Sequence, residues 1–313
     1  PNVVLLDIMM PGLDGYATCL RLKQLAHTFA SQVIMVSGRS APDELAMAFE
    51  VGADDYLIKP VDPIEVRSRV DVHFRLHESR QATNELEAQI ESNHRSLREL
   101  ATESRDQILA VQDVAVLALA KVAESRDNET GQHIIRLRDY ANRIGEQLRL
   151  NGPYQSQVDS TFLADLFRSS PLHDIGKVGI PDSILLKPSR LTSAEFELMK
   201  RHTIIGGNIL LDSVMELPAA GFLSMAAKIA HFHHERWDGQ GYPSGLAGEE
   251  IPLAARIVSV ADVYDALTSE RPYKKAWPLE QAKNFIEDAS GTQFDPSVVA
   301  AFVDCLDQIQ EIQ

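Results

Sequence analysis

Three short apolar runs mark the start of the chain: Val3 to Leu6, Val33 to Val36 and Tyr56 to Ile58. Each ends at polar or turn-forming residues, namely Asp7, Ser37-Gly38 and Lys59-Pro60. Stretches with helical spacing lie between them. Buried runs alternating with helices predict a parallel α/β sheet over residues 1–70. Functional groups in such sheets gather at the carboxyl ends of the strands, where Asp7, Ser37 and Lys59 fall.

The pattern changes over residues 71–114, where charge, Gln, Asn and Ser rise and Gly and Pro are absent. A heptad frame places Leu76, Thr83, Ile90, Leu97 and Val111 at one seam position. It places Leu86, Asn93, Leu100 and Val114 at the other, with Ser79, Ser104 and Gln107 as polar interruptions. Two readings stand: a parallel coiled coil that makes a homodimer, with Asn93 setting register, or a solvated linker helix. Residues 115–313 read as amphipathic helices, at 115–123, 134–148, 161–167, 195–211, 222–232, 257–267 and 279–287. The predicted architecture is multidomain: a partial α/β domain, a long helical connector and an all-α bundle.

Composition narrows the function classes. The 313 residues are 44% hydrophobic and 24% charged, a globular profile. A net charge of -15 argues against a nucleic-acid polymer as partner. No apolar run approaches the roughly 20 residues that span a bilayer. Two distant cysteines, Cys19 and Cys305, fit a reducing cytoplasm. The chain opens with Pro1 just ahead of a strand-like run, so it is expected to begin partway through a domain.

The string Leu6-Asp7-Ile8-Met9-Met10-Pro11-Gly12-Leu13-Asp14-Gly15 resembles the phosphoacceptor loop of response-regulator receiver domains. Ser37, Tyr56 and Lys59-Pro60 match that family's switch hydroxyl, switch aromatic and lysine-proline pair. The resemblance implies that Asp7 accepts a phosphoryl group from a cognate histidine kinase, with Lys59 contacting it and Ser37 sensing it. A carboxylate is a workable nucleophile for that transfer, and Lys59 neutralises the product. The family's acidic pair for Mg²⁺ lies on an earlier strand, so the match covers only the latter half of a receiver.

The bundle concentrates metal-binding chemistry: His173-Asp174, His202, His233-His234 and Asp262. Imidazole and carboxylate are the donors that borderline divalent metals prefer. Lys177 follows His173 by one helical turn, and the two adjacent histidines lead into Glu235-Arg236-Trp237-Asp238-Gly239-Gln240-Gly241-Tyr242-Pro243. Two ions roughly 3.5–4 Å apart activate a water for in-line attack on phosphorus. Lys177 either steadies the attacked phosphate or protonates the leaving group, or else simply pairs with Asp174 or a neighbour. His231 reads as structural.

With His173-Asp174 and Gly241-Tyr242-Pro243 both present, the stretch from about 116 to 300 resembles the HD-GYP subgroup of the HD phosphohydrolases. The strings Asp262-Val263-Tyr264-Asp265-Ala266-Leu267-Thr268 and Arg271-Pro272-Tyr273-Lys274 extend the match. The resemblance implies hydrolysis of cyclic di-GMP, to the linear dinucleotide pGpG or to GMP. It assigns His173, Asp174, His202, His233, His234 and Asp262 to divalent metals, two or three per chain, iron or else manganese, with Asp174 bridging. Asp174 and Lys177 become the catalytic residues. Arg271 and Lys274 would hold the substrate's phosphates, with Asp265 near them. Tyr242 would contact the nucleotide or pack in its loop. Glu129 and His133, four residues apart, would supply a third ion; alternatively Glu129 stabilises the helix dipole and His133 packs. Alternatives of function are an HD-type hydrolase for another cyclic dinucleotide or nucleotide, or a catalytically silent signalling module.

Overall fold

The computed structural model describes residues 1–25, 30–38, 41–126, 131–216, 221–270 and 275–312. The chain forms two compact units, Pro1–Arg105 and Asp106–Gln313.

In the first unit, strands β1 (Val3–Asp7), β2 (Gln32–Ser37) and β3 (Asp55–Ile58) form a parallel sheet in the order β1-β2-β3. Helices α1 (Gly15–Gln24) and α2 (Pro42–Glu50) connect the strands. Leu6, Ile8, Cys19, Val33, Met35, Ala48, Ala53 and Tyr56 form the core. Asp14 caps α1 by accepting from the Ala17 amide at 2.8 Å. Gly15 is required there, because a Cβ would overlap the Asp7 carbonyl oxygen and the Ile8 Cα. That close approach seats α1 directly under the loop that carries Asp7.

Helix α3 runs from Pro63 to Glu124 without a break. Proline suits a first helical turn, and no Gly or Pro follows before residue 125 to end the helix. The composition change at 71 and the expected helix start at 115 are therefore not structural breaks. In the first unit, Arg69 binds both Asp55 oxygens at 2.8 and 2.9 Å, and His73 Nε2 lies 3.1 Å from Asp55 Oδ2. The heptad positions Leu76, Leu86, Ile90, Leu97, Leu100, Val111 and Val114 are exposed.

The second unit is helical: α4 (Gln132–Leu150), α5 (Ser160–Ser169), α6 (Asp182–Leu185), α7 (Ser193–Glu216), α8 (Gly221–Phe232), α9 (Leu253–Thr268), α10 (Leu279–Asp288), α11 (Pro296–Asp304) and α12 (Leu306–Ile312). Tyr140, Tyr264, Phe294 and Phe302 anchor its main core. α9 is buried along almost its whole length, as expected of a helix apolar on every face. Its two acidic residues, Asp262 and Asp265, are thereby carried into the interior. Away from them, Arg256, Asp295 and the Tyr154 hydroxyl form a buried cluster with contacts of 2.6 to 2.9 Å. Among the described residues no helix is long and apolar enough to cross a membrane.

Candidate metal centre

Six short pieces of chain bring the donors together. His173 and Asp174 lie between two 3₁₀ turns, Ser170–Leu172 and Ile175–Gly179. His202 is on α7, His233 and His234 follow α8, His133 is in the first turn of α4 and Asp262 is on α9. Glu124 is the last residue of α3. Gly176 makes the closest of these approaches possible. A Cβ there would collide with the His202 carbonyl oxygen, so only glycine lets the turn after Asp174 press onto α7. Asp174 Oδ1 then reaches to 3.2 Å from His202 Nε2 and 3.6 Å from His233 Nε2.

Each imidazole is aimed by its other nitrogen. His173 Nδ1 lies 3.2 Å from the Ser170 carbonyl, His202 Nδ1 2.7 Å from that of Met199, and His233 Nδ1 3.1 Å from that of Ile229. A carbonyl only accepts, so each Nδ1 carries a proton and each Nε2 is turned toward the other donors, where it can offer a lone pair to a metal. Among the described residues, the Nε2 atoms of His173, His202 and His233 and Oδ1 of Asp174 are buried without a hydrogen-bond partner. Four such atoms converging in one place are costly unless something else binds them.

The donors fall into two sets. The donor atoms of Asp174, His202, His233 and His234 lie within 4.8 Å of one another, as do those of Glu124, His133 and His173. Asp174 faces both sets, since its Oδ2 is 3.4 Å from His173 Nε2. Asp262 Oδ1 lies 3.6 Å from His133 Nε2 and extends the second set. Behind His133, Asp265 Oδ2 lies 2.6 Å from Nδ1, and Arg136 donates to both Asp265 oxygens at 2.6 and 3.0 Å. Bare nitrogens, a shared carboxylate and an oriented His–Asp pair are a donor set that fits divalent metal ions.

The electrostatics agree. Burial opposes the charge on Asp174, but Lys177, 2.9 Å away, and His173 hold its carboxyl well below the usual range. Burial pushes the His173 imidazole down, yet Asp174 beside it prevails and raises it to about 9. A proton thus takes the place where a cation would satisfy both groups. Burial pushes His202 down, and burial together with His233 pushes His234 well below the ordinary imidazole value, which keeps both in the metal-binding neutral form. Burial of Asp265 is outweighed by His133 and Arg136, which hold its carboxyl low.

The glycine-rich loop is folded by Glu235, which is 3% exposed. Its carboxylate accepts from the amides of Ser244, Gly245 and Leu246 at 2.7, 3.1 and 3.2 Å. Tyr242 is thereby laid against His234, with ring centroids 4.8 Å apart and an interplanar angle of 33°. Phe196 meets the Tyr242 ring edge-on at 6.2 Å, and Lys200 Nζ is 5.6 Å from both ring centroids. His231 packs against Gly207 and Phe232 and belongs to neither donor set.

Three expected site residues, Glu129, Arg271 and Lys274, lie outside the described residues. Asp265, expected beside the substrate phosphates, is 1% exposed, and His133 and Arg136 occupy its oxygens. Its place is behind a donor histidine, because burial on α9 leaves no open face for a phosphate. Sequence reasoning missed Glu124, Arg136, Phe196 and Lys200. Only the buried turn of α3 that carries Glu124 gave a signal, an acidic residue flanked by Ala120 and Ala123, which are also buried.

In the first unit, Asp7, Ser37 and Lys59 meet at the carboxyl ends of the strands. The Lys59 ammonium binds Asp7 Oδ2, and the Met9 amide donates to Asp7 Oδ1 at 3.1 Å. Lys59 first, then the Met9 amide, lowers the Asp7 carboxyl. The Lys59 amide donates to the Ser37 carbonyl at 2.7 Å, which fixes the two loops together.

A family model described as HD domain matches residues 117–298, and one described as response regulator receiver domain matches residues 1–71. A probable cyclic di-GMP phosphodiesterase of Vibrio cholerae is 40% identical over 305 residues, 96% of this chain and 67% of that protein. The cyclic di-GMP phosphodiesterase response regulator RpfG of Xanthomonas campestris is 36% identical over 311 residues, 99% of this chain and 77% of that protein. A 3′3′-cGAMP-specific phosphodiesterase of Vibrio cholerae is 39% identical over 198 residues, 63% of this chain and 35% of that protein.

Proposed function

This chain belongs to the HD-domain family and carries a response regulator receiver domain ahead of that domain, and from that premise we propose that it hydrolyses cyclic di-GMP at its His/Asp centre. The observation that carries the reading is the convergence of four buried donor atoms, from His173, Asp174, His202 and His233, that have no hydrogen-bond partner among the described residues. Divalent ions bound there would supply Lewis acidity and a water of lowered pKa. Two or three ions per chain, iron or else manganese, suit this mixed nitrogen and oxygen donor set.

The chain's own groups then have separate tasks. Asp174 joins the two donor sets through its two oxygens. Lys177, held on Asp174 at 2.9 Å, steadies the attacked phosphate and delivers a proton to the departing 3′-oxygen. Arg271 and Lys274 bind the phosphates, and Tyr242 offers a ring face to a base. Asp265 acts through His133 as a positioning residue. Glu129 is a candidate ligand for a third ion, whose presence would favour GMP over pGpG as the product.

The receiver supplies regulation in this reading. A histidine kinase phosphorylates Asp7, with Lys59 and Ser37 sensing the product. Residues 1–70, 71–114 and 115–313 act as receiver, linker and catalytic domain. The exposed heptad stripe of α3 joins two copies as a parallel coiled coil. The free, buried thiols of Cys19 and Cys305 suit the cytoplasm.

A second substrate, 3′3′-cGAMP, deserves an arm of the test because one relative is named for it. The experiment is hydrolysis of a panel of cyclic dinucleotides by metal-loaded protein, with products identified by chromatography. Preferential turnover of cyclic di-GMP supports the proposal, and preference for the mixed dinucleotide replaces it with the second reading.

A further inference from the structure

Glu124 closes α3, and its carboxylate is carried into the interior, where the residue is 3% exposed. No motif of the sequence draws attention to it. A buried carboxylate is expensive unless cations or strong donors surround it. Two imidazoles lie beside it: Oε1 is 3.9 Å from His133 Nε2, and donor atoms of Glu124, His133 and His173 all fall within 4.8 Å of one another. The 3.9 Å separation is too long for a hydrogen bond. It suits two ligands of one ion, because metal bonds of about 2.1 Å place neighbouring donors about 3.0 Å apart and opposite donors about 4.2 Å apart.

A second, independent observation points the same way. His173 is fully buried, and its Nε2 has no hydrogen-bond partner among the described residues. His133 is held by Asp265 so that its Nε2 also faces this position. Two aimed imidazole nitrogens and one buried carboxylate are a facial set for a divalent cation.

We propose that Glu124 is a metal ligand, joining His133 and His173 around one of the ions of the centre. The inference rests on the reading of the centre as metal-binding and adds a ligand to it. It also gives α3 a direct part in that site. A helix advances about 1.5 Å per residue, and metal–ligand bonds tolerate about 0.2 Å. A shift of the last turn of α3 by a fraction of a residue is enough to detach the carboxylate, so the seating of this helix governs occupancy of that ion.

The test is metal binding by the full chain, freed of metal and then dialysed to equilibrium against Mn²⁺, for the parent, Glu124→Gln and Glu129→Gln. The expected result is one ion fewer per chain for Glu124→Gln than for the parent at Mn²⁺ concentrations that saturate the parent. Parent-like content and affinity in Glu124→Gln overturns the proposal, including the case in which only Glu129→Gln loses an ion. A parent that binds no ion overturns the metal reading as well, which separates the two failures. Should Glu124→Gln not fold, Glu124→His loaded with Co²⁺ keeps the question open to measurement. Replacing an oxygen ligand by nitrogen shifts the visible cobalt bands, and a spectrum identical to the parent's overturns the proposal.

Discussion

His133 owes its role to the carboxylate behind it. Asp265 fixes the tautomer and the direction of the ring, and Arg136 fixes Asp265. Replacing Asp265 by Asn keeps the shape and removes the charge. Metal affinity is expected to fall about 10–100-fold, the cost of losing such an outer partner, as measured by competition with a chelator. An unchanged affinity would show that His133 is not a ligand. Asp174→Ala removes both oxygens through which this residue faces the two donor sets, so turnover is expected to fall by more than that range.

A pH prediction follows from His173, whose folded value is raised from 6.5 to about 9 in the metal-free protein. A raised value means that the proton stabilises the fold below the unfolded value and that this contribution is lost as pH rises through the folded one. The chelated protein is therefore expected to lose thermal stability between pH 6.5 and about 9. The metal-loaded protein should move the other way, because its ligands must shed protons to bind. Melting curves across that range, with and without chelator, check both signs.

At this scale the sequence revealed the histidines well and the acids poorly. His173-Asp174 and His233-His234 announce themselves by adjacency. The motif that carries Asp265 gives no hint that α9 buries it behind His133. Glu124 left only a faint signal, an acid beside Ala120 and Ala123, because its burial depends on where α3 stops.

Among the elements, the turn at Gly176 is the most exacting. A Cβ there meets the backbone of α7, which cannot move aside as a side chain would. Gly176→Ala is expected to destabilise the fold by about 1–3 kcal/mol, typical of forced overpacking. It should also weaken metal binding, because Asp174 and His202 are pushed apart. Denaturant unfolding and metal titration of the same variant measure both effects.

Element type was legible where apolar spacing was regular, and the three strands and the bundle helices show it. Element limits were less so. The shift to polar residues at 71 suggested a connector, yet nothing in the composition there ends a helix, and α3 continues from Pro63 to Glu124. What the sequence does show is an apolar stripe that this helix leaves exposed. If two copies pair along it, Leu86→Asp together with Leu97→Asp should convert a dimer into a monomer in sedimentation velocity. A parent already monomeric at micromolar concentration would remove the coiled coil from the account.

For the whole molecule, all described donors lie in the unit that begins at Asp106. That unit also holds the turn of α3 whose Asp113 is bound by Arg168 at 2.8 Å. Residues 106–313 alone are therefore expected to bind the full set of ions. The two-part plan was readable from alternating strands and helices giving way to helices alone. The packing that makes one centre from α3, α4, α7, α8 and α9 was not, because it depends on contacts between residues far apart in sequence.

The most direct measurement incubates metal-loaded full-length protein with cyclic di-GMP beside Asp174→Ala and a chelated sample, and identifies the products. The account predicts pGpG or GMP from the loaded parent and neither from the two controls. Intact substrate from the loaded parent, or equal product from the chelated sample, contradicts it.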